Sequence, residues 1–229
     1  MANGLSIKHK KQFHLFAWVF WTLVVGTLIA TAWFAYRYFE SGELPSFVTA
    51  KALQADPNVD ETVVTKKQVN EHRVPKDQPR YISIPALKID KTRVFAVGTT
   101  ENNQLEAPKN IADAAWYRKS ALPGSGFGAV LIDAHNGGVT RDGVFAKLGT
   151  LGANAQIMVE RGDGKVFTYK VVENQSMPLE EVNKTGMKMM MQSADENKEG
   201  LNLITCDGKW VPKYQQFDRR IMLRAIRVE

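Results

Sequence analysis

From Leu15 to Tyr36 the chain reads LFAWVFWTLVVGTLIATAWFAY, a run without one formally charged side chain. Its roughly 22 residues span about 33 Å as a helix, enough to cross a hydrocarbon core of about 30 Å. In lipid such a segment must satisfy its backbone groups internally, so it divides the chain before any other motif is read. Lys8, Lys10 and Lys11 precede it with no acidic residue among them, whereas Arg37 on the far side is followed by Glu40 and Glu43. This asymmetry predicts a cytoplasmic tail over 1–14, a transmembrane anchor over 15–36, and everything beyond Tyr38 outside the cell. Trp18, Trp21, Trp33, Tyr36 and Tyr38 lie towards the two ends, where amphipathic rings favour the headgroup level. Ala30, Thr31 and Ala32 also read as the small-residue triplet that ends a cleaved secretory signal. The apolar part of such a signal is about 7 to 15 residues long, and this run continues past the triplet through Trp33 and Phe34, so an uncleaved anchor is expected. Either reading places the remainder outside the cytoplasm.

That remainder falls into two textures. Residues 37–79 mix Pro, Asp, Asn, Lys and Glu with scattered apolar positions and read as an extracellular stalk, with a short helix near Ser46 to Gln54. From residue 80 to 229 short β-rich runs follow one another: YISIPAL, TRVFAVG, GAVLIDAH, AQIMVE, KVFTYKVVE, LNLITC and RIMLRAI. Gly162, Asp163 and Gly164 separate two of them and predict a hairpin. Val144 to Leu148 and Met187 to Gln192 are the best candidates for short helices. About 150 residues of closely spaced strands predict a mainly β domain, a compact barrel or sandwich. With 44% hydrophobic and 24% charged residues the chain is neither disordered nor collagen-like. Its net charge of +6 is spread along the sequence rather than gathered into a basic block, which argues against nucleic acid as the partner.

The sequence has one cysteine, so no intramolecular disulfide holds the fold. Cys206 closes the run Leu201 to Cys206 just before Asp207 and Gly208, where a strand would run out into a loop. His135 closes AVLIDA before Asn136, Gly137 and Gly138. Of the four histidines it alone falls in the β-rich region, since His9 and His14 flank the anchor and His72 lies in the stalk. A buried, inert cysteine is the plain alternative. One thiol and one imidazole, each ending a strand and opening into a glycine-containing loop, also suit a nucleophile and its proton partner. Backbone amides, or Arg219 and Arg220 of the last strand, would serve a developing oxyanion. One Cys and one His do not supply the ligands of a zinc site, and no acidic set commits to calcium, so no metal or cofactor is expected.

With these residues in view, the chain resembles the sortases, membrane-anchored cysteine transpeptidases of bacterial surfaces. The family's T-L-x-T-C signature reads Asn202, Leu203, Ile204, Thr205, Cys206 here, with Asn202 in place of the first Thr. Its histidine ends a strand before a loop, as in AVLIDAHNGG, with Ala134 where Gly is usual. An arginine opens the family's final strand, as in RRIMLRAIRVE, and the order His, Cys, Arg is kept. The resemblance covers about 80–229 and extends to the stretch WYRKSALPGSGFGAVLIDAH. It implies a closed β-barrel with a few short helices after one N-terminal transmembrane helix. It implies catalytic roles for His135, Cys206 and Arg220, with Thr205 in support. Strand alternation favours Arg220 over Arg219, because Arg219 shares a face with Ile221, Leu223 and Ala225 whereas Arg220 shares one with Met222 and Arg224. The plain alternative makes both arginines surface charges of an edge strand.

The implied activity is cleavage of an LPXTG-like sorting signal on secreted proteins, followed by acyl transfer to an amine of a peptidoglycan precursor or a pilin. Asp56, Pro57 and Asn58 faintly resemble the lid motif of pilus-building members, and a chain ending soon after its last strand suits a single-anchor type, similar to class F, D or E. Two other readings stand beside this one. An L,D-transpeptidase would carry an S-x-G-C-[IV]-R signature, which is missing around Cys206. An anchored β domain could instead bind a surface partner without chemistry.

Overall fold

The computed structural model describes residues 10–41 and 59–228. The helix expected near Ser46 to Gln54 and the triplet Asp56, Pro57 and Asn58 lie outside these. The chain divides into two units, 1–49 and 50–229. In the first, one helix, α1, runs over Lys10–Ser41, and its stretch Ala17–Tyr36 has a mean hydropathy of 1.7 over 20 residues with none of it buried. Three threonines interrupt the apolar surface without leaving a hydroxyl unsatisfied. Thr22, Thr27 and Thr31 each donate to a carbonyl one turn back, on Val19, Leu23 and Thr27, at 2.8, 2.8 and 3.0 Å. By length and composition, α1 is a candidate membrane span.

In the second unit the described strands are β1 (Pro79–Ile84), β2 (Ile89–Val97), β3 (Ala114–Tyr117), β4 (Ala129–Ala134), β5 (Gln156–Arg161), β6 (Val166–Pro178), β7 (Gly200–Val211) and β8 (Gln216–Arg227). They close into a barrel in the order β1-β2-β3-β4-β7-β8-β6-β5, with β5 returning to β1. The pairs β2–β3 and β4–β7 are parallel and the others antiparallel. The expected β5–β6 hairpin forms, with Gly164 at φ +84° in its turn. β8 lies between β7 and β6, so neither Arg219 nor Arg220 sits on an edge strand.

Alternation explains which side chains fill the barrel. Ile82, Val130, Ile132, Leu201, Leu203 and Leu223 point inward with their neighbours into one continuous core. The outward phase of β4, β7 and β8 is also apolar: Leu131, Ile204 and Met222 join Met177, Val182 and Met190 in a second cluster. A helical segment over 179–190, whose middle Val182–Gly186 is wound as a π-helix, supplies Val182 and Met190 to that cluster. Burial on both faces is why AVLI, LNLI and RIML read as nearly continuous apolar runs instead of alternating ones. The helix expected over Val144 to Leu148 is instead a run of turns ending in a single 3-10 turn, Leu148–Thr150. Phe145 and Leu148 are both fully buried, so their spacing reflects a tucked loop and not a helical face.

Residues 59–78 lie against the barrel. Thr65 and Gln68 form a reciprocal capping box at the start of helix α2 (Lys66–Glu71). Beyond α2, the His72 ring stacks 4.6 Å from Phe95, its Nε2 is 3.0 Å from the Val94 carbonyl oxygen, and the Tyr81 hydroxyl donates to the Val69 carbonyl.

The far end of the barrel is tied by one buried carboxylate. Glu199, 2% exposed, accepts from the Gly124 and Gly126 amides at 2.9 and 2.8 Å and from the Tyr169 hydroxyl at 2.5 Å, with Arg227 at 3.6 Å. Burial, and the negative charge beside it, hold the Tyr169 hydroxyl above its ordinary range. Glu199→Ala strands these donors at once, and we expect it to lower the urea-unfolding free energy by about 2–4 kcal/mol. A change below about 0.5 kcal/mol would contradict this role.

Candidate active site

Cys206 does not end its strand. β7 pairs with β4 only as far as Asp133↔Ile204, because β4 stops at Ala134. Beyond that level β7 leaves the parallel partner and continues to Val211 as an antiparallel hairpin with β8, through Trp210↔Phe217 and Val211↔Gln216. Asp207 and Gly208, which read in sequence as the start of a loop, stay within this hairpin: Asp207 pairs with Arg219, and a bulge follows it before Trp210. Gly208 is at φ +81°, and a Cβ there would lie 2.1 Å from Asp218 Oδ1, which accepts from the Lys209 amide at 2.7 Å. The Trp210 and Phe217 rings meet edge to face at 5.4 Å and hold the hairpin closed. Cys206 therefore stands where one neighbour of its strand has just ended, and it is half-buried.

Register places the other two residues around it. Cys206 pairs directly with Arg220 across β7 and β8, and directly opposed residues project from the same face of a sheet. β4 and β7 run in step from Ala129↔Gly200 to Asp133↔Ile204, so His135, one residue beyond β4, continues that step to the level of Cys206. Counting alternate residues from Leu131 and Ile204, His135 and Cys206 take the outward phase. His135, Cys206 and Arg220 thus form a row from the end of β4 across β7 to β8, on the face that carries the second apolar cluster. His135 is half-buried, with Nε2 2.6 Å from the Pro108 carbonyl oxygen. Arg220 Nη1 donates to the carbonyls of Phe217 and Arg219 at 2.9 and 2.8 Å, which fixes the base of its guanidinium at the neck of the hairpin.

Thr205 and Arg219 take the opposite phase. The Thr205 side chain is buried at 1% exposure and donates to the Ala134 carbonyl at 2.6 Å, cross-linking the residue before the cysteine to the residue before the histidine. Arg219 pairs across the sheet with Asp207, and its guanidinium donates to the Ser176 hydroxyl and carbonyl oxygens at 2.7 Å each. The Ser176 hydroxyl in turn donates to Asp207 at 2.5 Å. Arg219 is thereby occupied in joining β8 to β6, away from the row. Asn202, where the signature has Thr, donates to the Met190 and Gln192 carbonyls at 2.8 and 2.9 Å and so ties the end of the helical segment to β7.

Asp133 lies on the same face one level before that row, and sequence reasoning missed it. It stands two residues before His135 on the outward phase, paired with Ile204 on one side and Ala115 on the other. Burial pushes its carboxyl up to about 7, against the opposing pull of the Arg220 guanidinium and a backbone hydrogen bond at Ala134. The signal was an acid inside the apolar run AVLIDA, at a phase where its neighbours are covered. Because the folded state raises this pKa, the fold disfavours the ionised carboxylate; the cost is absent below about pH 4, grows as pH rises from about 4 to about 7 and is complete above that. Asp133→Asn is expected to leave the melting temperature unchanged near pH 4 and to raise it by roughly 5 °C near pH 8. A difference that does not vary with pH would contradict the assignment.

The family model for the Sortase domain matches residues 82–228. Among solved structures, Sortase C of Streptococcus pneumoniae superposes with a TM-score of 0.50 at 19% identity, covering 77% of this chain and 79% of that one. A lid mutant of Sortase A from Corynebacterium diphtheriae superposes with a TM-score of 0.50 at 22% identity, covering 75% and 86%. No curated protein matches.

Proposed function

The chain belongs to the sortase family, and from that premise we propose that it is a membrane-anchored cysteine transpeptidase acting on secreted proteins that bear an LPXTG-like sorting signal. The observation that carries this reading is the register that sets Cys206 opposite Arg220 and level with His135. In the proposed reaction the Cys206 thiolate attacks the carbonyl carbon of the signal's Thr, and Arg220 stabilises the oxyanion. Protonated His135 gives its proton to the departing Gly amine as the C–N bond breaks, leaving a thioester on Cys206. An incoming amine, from a peptidoglycan precursor or a pilin lysine, then attacks the thioester. His135 takes up the amine's proton and the thiolate is regenerated.

The apolar helix fits this role as a single-pass anchor with its N-terminal side in the cytoplasm and the barrel outside. Confinement to the membrane surface would raise the effective concentration of a secreted donor and a lipid-linked acceptor around the enzyme.

The test is turnover of a panel of fluorogenic LPXTG-type peptides by the full chain in detergent micelles, with and without an amine acceptor. Cys206→Ala is expected to abolish product. Arg220→Ala is expected to lower kcat about 10²-fold or more, and Arg219→Ala to stay within about threefold because its contacts lie on the other face. Absence of acceptor-dependent product across the panel would count against the donor assignment, and a larger loss for Arg219→Ala would exchange the two arginines.

A further inference from the structure

His135 is held by two loops that are not part of the sheet. Its ring meets the Pro108 carbonyl in the loop before β3, and its backbone carbonyl accepts from the Phe145 amide at 3.0 Å, at the end of the loop that follows β4. A third segment, residues 60–62, is fastened to both. Towards the first loop the Asp60 amide donates to the Lys109 carbonyl at 3.0 Å, and the Ile111 amide donates to the Asp60 carbonyl at 2.9 Å. The Asn110 carboxamide donates to Asp60 Oδ2 and to the Thr62 carbonyl at 3.0 Å each. Towards the second loop Glu61 turns the other way, and its carboxylate accepts from the Val139 amide at 2.5 Å and from the Thr140 amide and hydroxyl. Arg141 Nη2 donates to the Thr62 carbonyl at 2.9 Å. The fit is close: a Cβ on Gly138 would lie 2.4 Å from Glu61 Oε1.

Three consecutive residues therefore bridge the two loops that set the position of His135, and they come from the chain that leads out of the apolar helix. We propose that Asp60 to Thr62 form a strap that positions His135, with Glu61 as its principal positioning residue. The proposal rests on the assignment of His135 as the proton partner of Cys206. The bonds of the strap run to the two loops that hold His135, so its loss acts on the chemistry through His135. A shift of a proton-transfer group by about 1 Å is enough to cost one to two orders of magnitude in rate. A barrel beginning at Arg80 would retain every strand residue but the first and still lack the strap.

The experiment uses the full chain in detergent micelles and two readouts: steady-state turnover of an LPXTG-type peptide, and the pH profile of Cys206 alkylation by iodoacetamide. Glu61→Ala is expected to lower kcat about tenfold with KM within twofold, and to shift the alkylation profile in the same direction as His135→Asn. Glu61→Gln keeps the length and one acceptor oxygen, and is expected to recover most of both. Thr140→Val, which removes one donor to the carboxylate, serves as a milder second variant should Glu61→Ala melt early, with a smaller shift in the same sense. If the unmodified chain turns over peptide and shows a His135-dependent alkylation profile while Glu61→Ala and Thr140→Val change neither, the strap proposal alone is overturned. It is likewise overturned if their loss of rate tracks only their melting temperatures. If the unmodified chain shows neither behaviour, the His135 assignment fails and the strap's role fails with it.

Discussion

β7 is paired in step with β4 on one side and with β8 on the other, and the arrangement of the candidate site follows from that double pairing. In a strand a slip of one residue exchanges its two faces. Here a slip of β7 would turn Cys206 into the barrel and bring Thr205 out beside Arg220. Register is strongly specified because both phases of β7 are buried: Leu201 and Leu203 point into the barrel, while Asn202 and Ile204 lie under the helical segment. Each such apolar side chain is worth about 1.5–3 kcal/mol when fully buried, so a slipped alignment loses several of them together. The Thr205 hydroxyl, bonded to the Ala134 carbonyl, fixes the step at the level where it matters for the chemistry.

The same pairing explains why a cysteine in mid-strand can act. β4 stops one residue short of His135 and β7 continues, so the sheet opens on one side of Cys206 without losing the antiparallel partner that carries Arg220. Beyond that opening the extension passes a bulge between Asp207 and Trp210 and is held by the Trp210–Phe217 contact. Register brings the three residues to one level, because each lies within or next to a strand, and the flanking loops then hold His135 there. Asp133, one level back on the same face, adds a buried carboxyl that feels the charge of Arg220.

The strands could be read in sequence because their side chains obey a period of two, and the β5–β6 turn because Gly162 to Gly164 leave few alternatives. Alternation also separated Arg220 from Arg219, a distinction that needs only the phase of the last strand. The extent of β7 could not be read, since Asp207 and Gly208 have turn chemistry and only pairing with β8 keeps them in the strand. Val144 to Leu148 misled for a related reason: Phe145 and Leu148 are buried by a tucked loop, at a spacing a helix would also give. Asp60 and Glu61 were out of reach altogether, since their partners, the Asn110 side chain for Asp60 and the Val139 amide for Glu61, lie about 50 and 80 residues away in the chain and carry no sequence signal.

The central claim is that the aligned row makes Cys206 the acyl carrier. Its most direct test is intact-mass measurement of the full chain after brief exposure to an LPXTG-type peptide without any amine acceptor. The account predicts an adduct equal to the peptide up to and including its Thr, on Cys206 alone, released by hydroxylamine as a thioester should be. An adduct that persists in Cys206→Ala, or an unmodified mass under conditions in which the peptide is cleaved, would contradict it.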